Sequence, residues 1–241
     1  MARRFLLGGK SPIPAALRNS LIGYWKLDEA SGNRADSFSS NTLVDFNTVT
    51  GNPGPSGKIS LASQFTRANS EALTLADNTG MSMGAGLRMS ACAWAYMDSE
   101  PAAGMCVLSK WQGVGAREWV LYRNNANDRF DFIVSSDGSN VSATATANTF
   151  GAITTATWYF ICVRYDGANI YVSVNGGAED STAFSADIFN GNDSFTIGTN
   201  QATNFWDGRI AGVGFWKRSL TAAERTWLYN NGAGRLYPFA K

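Results

Sequence analysis

Chemistry at a protein surface begins with carboxylates, imidazoles and thiols, and this chain is poor in two of the three. Histidine is absent from its 241 residues, which removes the commonest general base and the commonest zinc ligand together. Acid–base work would fall to Asp and Glu. A pair that hydrolyses glycosides must face each other at roughly 5–5.5 Å for retention or about 6.5–9.5 Å for inversion. Asp128 and Asp131 fall on opposite faces of an extended segment, and Asp28 and Glu29 are adjacent within the turn-rich Asp28-Glu-Ala-Ser-Gly-Asn33. No Gly-x-Ser-x-Gly elbow stands in for them. The chain is expected not to be an enzyme.

Binding chemistry is better supplied. The sequence holds eight Trp and eight Tyr, the residues that combine a large apolar face with a polar tip. Trp25, Trp94, Trp158 and Trp216 sit inside strand patterns and are read as core. Trp111, Trp119 and Trp206 flank loops. With Arg123 they are the expected glycan platform. Loop carboxylates Asp36, Asp166 and Asp207 are the candidate ligands for calcium, which takes six to eight oxygens, although Asp also populates turns for backbone reasons. No other cofactor is expected. Cys92, Cys106 and Cys162 lie in apolar stretches and read as buried free thiols, compatible with folding in a reducing cytoplasm.

These residues must be held by strands. In Trp158–Tyr165, Tyr159, Ile161, Val163 and Tyr165 share one face, and Trp158, Phe160, Cys162 and Arg164 the other. Asp166-Gly-Ala-Asn169 then returns the chain through Ile170, Val172 and Val174 to Asn175-Gly-Gly177. Period-two alternation bounded by Asp-Gly and Asn-Gly predicts an antiparallel hairpin. Short strand candidates recur from Leu21 to Trp216, the rhythm of a sandwich or jelly roll. One helix is expected near the end, where Thr221-Ala-Ala-Glu224 forms a capping box and Asn230-Asn-Gly232 a left-handed stop. It should plug an edge or end of the sandwich.

Two domains of unequal character follow. Residues 1–20 carry Arg3, Arg4, Lys10 and Arg18 without an acid, and Gly8-Gly9 and Pro12-Ile-Pro14 favour an extended arm. Arg3, Arg4, Phe5, Leu6, Leu7 and Lys10 are its expected partner-binding residues. Residues 21–241 form the sandwich. A formal charge of +1 gives no global field for nucleic acid or an anionic membrane, and no apolar run approaches the roughly 20 residues of a bilayer span.

Tyr24-Trp-Lys-Leu-Asp-Glu-Ala-Ser-Gly32, Ser90-Ala-Cys-Ala-Trp94, Tyr165-Asp-Gly167, Val174-Asn-Gly176 and Trp206-Asp-Gly-Arg-Ile-Ala-Gly-Val-Gly-Phe-Trp-Lys-Arg-Ser-Leu-Thr-Ala-Ala-Glu224 together resemble the laminin-G-like jelly roll of the concanavalin A-like lectin/glucanase superfamily. The resemblance implies an all-β, two-sheet antiparallel sandwich. Its opening and closing segments also look like those of phage structural proteins. From this follows the expected function: a virion surface protein, either capsid decoration or tail-associated. It would be made in the host cytoplasm, bound to other virion proteins through the arm within a larger oligomer, and would touch host glycans. The alternative is a stand-alone bacterial carbohydrate-binding module at the cell surface or outside the cell.

Overall fold

A computed structural model describes residues 13–53, 61–200 and 203–239. The strands are β1 (Leu21–Trp25), β2 (Val44–Phe46), β3 (Thr50–Pro53), β4 (Leu61–Phe65), β5 (Ala72–Leu75), β6 (Met89–Met97), β7 (Met105–Lys110) and β8 (Trp119–Asn124). They continue as β9 (Arg129–Val134), β10 (Ala143–Thr146), β11 (Trp158–Tyr165), β12 (Asn169–Val174), β13 (Asp180–Ala183), β14 (Phe195–Ile197) and β15 (Gly208–Trp216). Every pairing among them is antiparallel. One sheet has eight strands in the order β13-β12-β11-β6-β15-β4-β3, with β1 also on β15. The other has seven, β10-β9-β8-β7-β14-β5-β2. This is the expected jelly-roll sandwich.

The hairpin explains the layering. β11 pairs with β12 through Val163↔Val172 and with β6 through Cys162↔Cys92. Tyr159, Ile161, Val163 and Tyr165 enter the core between the sheets. Trp158, Phe160 and Cys162 point the other way and are also buried, in a second apolar layer with Cys92, Trp94, Trp216, Leu220, Leu228 and Phe239. The eight-stranded sheet is therefore covered on both faces. Its outer cover includes α2 (Ala222–Tyr229), whose capping box is present as expected: Glu224 N donates to Thr221 Oγ1 at 3.3 Å, and Thr221 N to Glu224 Oε2 at 2.8 Å. The helix lies across a sheet face rather than at an edge or end, because Leu228 needs an apolar bed and finds Cys92, Trp94 and Phe160 there.

Two expectations are corrected. Residues 13–20 are not extended: α1 (Ile13–Ala16) is a short helix, since Pro14 at a first helical turn costs no hydrogen bond. Leu17 behind it is fully buried, and its carbonyl accepts Trp216 Nε1 at 2.7 Å. Cys92 and Cys162 are not free thiols; they form a disulfide between directly opposed positions of β6 and β11. Cys106 alone is free and buried, and burial raises its thiol well above its usual range. The partner-binding residues Arg3, Arg4, Phe5, Leu6, Leu7 and Lys10 lie outside the described residues.

Candidate ligand-binding face

The seven-stranded sheet has one face in the core, and alternation sends the other residues outward. β8 places Trp119 and Leu121 inside and Val120 and Tyr122 outside. β9 places Phe130, Phe132 and Val134 inside, leaving Asp131 and Ile133 outside. In β7 the register shifts between Cys106 and Leu108. Val107 and Leu108 both enter the core, after which Ser109 faces out with Val120 and Lys110 turns in. Across the strands Ile133, Val120, Ser109, Thr196, Thr74 and Val44 fall into one row.

Toward β14, β5 and β2 this outer face sinks into a depression of about 210 Å³, lined by Phe46, Thr74, Gln112, Ser194, Thr196, Thr199 and Phe205. Phe46 is 51% exposed on the edge strand, an apolar ring open to solvent. The floor is polar. Thr196 Oγ1 lies 2.7 Å from Ser109 Oγ, donates to Thr199 O at 2.7 Å, and accepts Gln112 Nε2 at 3.0 Å. Thr199 Oγ1 and Asn200 Oδ1 are buried with no partner among the described residues. Buried polar atoms are rarely left so. No charged side chain lines the depression.

The loops around it are tied down by a buried ion cluster. Lys110 Nζ, fully buried, donates to Asp77 Oδ1 at 2.6 Å and to Asp193 O at 2.6 Å, and lies 3.3 Å from Glu118 Oε1. The same Asp193 accepts the Gln112 and Gly113 amides through Oδ2, which sets Gln112 at the rim. Glu118 accepts the amides of Met83 at 2.9 Å and Gly191 at 3.1 Å. Burial pushes its carboxyl up to about 7, against the opposing pull of Lys110 and those amides.

The residues expected from sequence fall elsewhere. Trp119 and Trp206 are fully buried. Trp119 stacks on Phe215 at 5.8 Å between the sheets, and Trp206 Nε1 donates to Tyr96 O at 3.2 Å. Trp111 is 5% exposed, packed with Cys106 and Val120 and beneath the Arg117 guanidinium. None presents a ring to a ligand. Arg123, 2% exposed, is held by Asp128, Glu100 and the carbonyls of Pro101 and Ala103. The calcium candidates sit in separate loops. Asp36 accepts the Tyr24 and Phe38 amides, Asp166 those of Ala168 and Asn169, and Asp207 the Arg67 amide and the Ser99 hydroxyl. Asp166 organises its own turn, Asp36 and Asp207 tie their loops to distant segments, and among the described residues no three acidic or thiol groups converge to hold a metal. The depression itself was missed because Phe46, Thr74 and Thr196 lie on short strands whose order in the sheet the sequence does not state. Gln112 alone carried a hint, as a neighbour of Trp111.

A family model for the concanavalin A-like lectin/glucanases superfamily, Laminin_G_3, matches residues 67–224. The chain belongs to that superfamily. No curated protein matches it. Among solved structures, this superfamily member is similar to domain 4 of AbnA, a GH43 extracellular arabinanase from Geobacillus stearothermophilus, in complex with arabinotriose. The TM-score is 0.65 at 17% identity, over 90% of this chain and 98% of that one. It is also similar to the binding domain of Paraclostridial Mosquitocidal Protein 1, with TM-score 0.71 and 13% identity, covering 90% of this chain and 53% of that one. A third is the botulinum neurotoxin serotype D ligand binding domain in complex with N-acetylneuraminic acid, with TM-score 0.65 and 10% identity, covering 90% and 52%. The chain spans about half the length of these toxin domains. At such identities the likeness is one of fold.

Proposed function

We propose that this protein is a non-enzymatic recognition module that binds a glycan in the depression on the outer face of its seven-stranded sheet. The observation that carries the reading is the presence in one lining of a half-exposed ring, Phe46, and a buried, unpartnered hydroxyl, Thr199 Oγ1. A sugar offers an apolar face to the first and hydroxyl donors to the second. The lining has hydrogen-bonding hydroxyls and an amide but no carboxylate, which suits recognition without hydrolysis. Similarity in fold to domains solved with arabinotriose and with N-acetylneuraminic acid supports it. A glycan array followed by calorimetry tests it. Phe46→Ala, at a half-exposed position, should weaken the strongest ligand about ten-fold or more without altering the melting transition. Silence across the array would refute the reading.

A second proposal concerns where the module works: as a capsid decoration or tail-associated protein of a virion, with residues 1–12 as anchor. It is favoured by the placement of α1 and Leu17 on the outer side of the eight-stranded sheet, the face opposite the depression. The buried disulfide suits service outside a reducing cytoplasm. Deleting residues 1–12 should abolish particle incorporation and leave melting unchanged. A cut beyond Leu17 would instead open the second apolar layer. Incorporation by the shortened chain would overturn the anchor, and a native species no larger than a monomer by light scattering would favour a stand-alone bacterial surface module.

A further inference from the structure

The outer face of the seven-stranded sheet carries a second polar patch, on the side away from Phe46. Asp131 of β9 is 2% exposed. It faces outward because Phe130 and Phe132 on either side enter the core. Its Oδ2 accepts Asn124 Nδ2 at 2.9 Å, while its Oδ1 is buried with no partner among the described residues. A buried carboxylate oxygen lacking a donor is costly. Two positions along the same strand, Arg129 shows the complement: Nη1 donates to Asn148 Oδ1 at 2.8 Å, but Nε is buried and unpartnered. Tyr122 lies directly across β8 and Thr146 directly across β10 from Asp131. An acceptor and a donor, both unsatisfied, thus stand beside a ring and a hydroxyl.

We infer that this patch is a second subsite for the same ligand, so that the face takes a linear, uncharged oligosaccharide laid across the strands. The inference rests on the glycan reading of the depression. β9 and β14 are three strand spacings apart in the sheet, roughly 14 Å at about 4.8 Å each, a span that a single sugar ring does not cover and a short chain does. The unpartnered pair asks for a group that both donates and accepts, as neighbouring hydroxyls do. Within the patch the charges of Asp131 and Arg129 offset each other, and the depression offers no cation, so the face has no net positive charge to favour an acidic sugar. Ile133 follows Asp131 two positions along β9, and Val120 opposite it leads through Ser109 to Thr196, apolar ground on which ring faces can rest.

Calorimetry with linear arabino- and gluco-oligosaccharides of one to six units, and with sialyllactose, tests this. In one of the neutral series affinity should climb about ten-fold or more between two and four units and then level off, with sialyllactose no tighter than the neutral disaccharide. Asp131→Asn and Arg129→Ala should each remove the gain from length while leaving disaccharide binding unchanged, in variants whose cooperative melting shows that they fold. Two variants are used so that one that fails to fold does not decide the matter. Affinity independent of length, a gain that survives both substitutions, or preferred binding of sialyllactose would overturn the second subsite while leaving the depression as a glycan site. Absence of binding by every saccharide, the array included, would remove both.

Discussion

Glu118 makes the stability of this protein depend on pH in a window where few proteins of its size are so easy to read. Its carboxyl is raised from 4.5 to about 7 chiefly by burial. A carboxyl raised by folding binds its proton more tightly in the native than in the unfolded chain. Its contribution is therefore fully present below about pH 4.5 and is lost as pH climbs to about 7. At roughly 1.4 kcal/mol per unit the loss is on the order of 3 kcal/mol. For a chain of this length that is a fall of about 6–12 °C in Tm. The chain has no histidine, so no imidazole titrates across the same interval. The carboxylates whose pKa values folding lowers, such as Asp77 and Glu224, are ionised in both states above about pH 5. Differential scanning calorimetry from pH 5 to 7.5 should show Tm falling in the wild type and nearly flat in Glu118→Gln, which retains an acceptor for the Met83 or Gly191 amide. Two flat profiles would mean that Lys110 keeps Glu118 ionised throughout. Two equal slopes would place the titrating group elsewhere. Either result refutes the reasoning.

Further expectations follow from other parts of the fold. The disulfide closes a sequence separation of 70 residues, so the Cys92→Ala/Cys162→Ala double variant should lose about 4 kcal/mol in denaturant titration. Thiol counting on the untreated, denatured protein should find one reactive cysteine, and finding three would disprove the pairing. At the α2 N-terminus, burial would raise Glu224, but the Arg218 guanidinium and the Thr221 amide and hydroxyl hold it below the usual carboxylate range. Its contribution is present above about pH 4.3 and lost on further acidification. Glu224→Gln should flatten that acid limb, and Thr221→Ala should cost about 1 kcal/mol at neutral pH; an unchanged acid limb would contradict this. A Cβ at Gly191 would lie 1.9 Å from the Ala116 carbonyl oxygen, so Gly191→Ala should shift the loop, withdraw an amide that holds the Glu118 carboxyl down and carry the fall in Tm to higher pH. An unchanged profile would show that the loop yields without moving its amide.

Much of the architecture was legible because strand alternation is a local property. The β11–β12 hairpin, its two faces and the α2 capping box can each be read from a dozen consecutive residues. What failed was whatever depended on neighbours across the sheet. Ala-Cys-Ala and Ile-Cys-Val give no sign that β6 and β11 adjoin in a register that opposes Cys92 to Cys162. Phe46, Thr74 and Thr196 come together only because β2, β5 and β14 are consecutive in space. Trp119 is a different case. It shares parity with Leu121 on a strand that the sequence did reveal, so its inward direction was readable, and proximity to a loop proved the weaker guide. In the sequence Asp131 reads only as half of a hydrolytic pair with Asp128, and its solitary role on the outer face needs the burial of its neighbours to be known.

The unpaired Val107 in β7 has a consequence larger than its size. It advances the phase of the strand by one, and everything after it inherits that choice. With the shift, the ammonium of Lys110 is delivered to Asp77 and Glu118 indoors while Ser109 meets Thr196 outdoors. Were Val107 to alternate regularly instead of bulging, Leu108 would turn outward and Ser109 and Lys110 would exchange sides: a charge without counter-ions would stand where the sugar is proposed to rest, and a serine would face two abandoned carboxylates. A single-residue insertion thus decides both how the loops are tied and what the surface offers, so the two properties cannot be altered independently at this point of the chain.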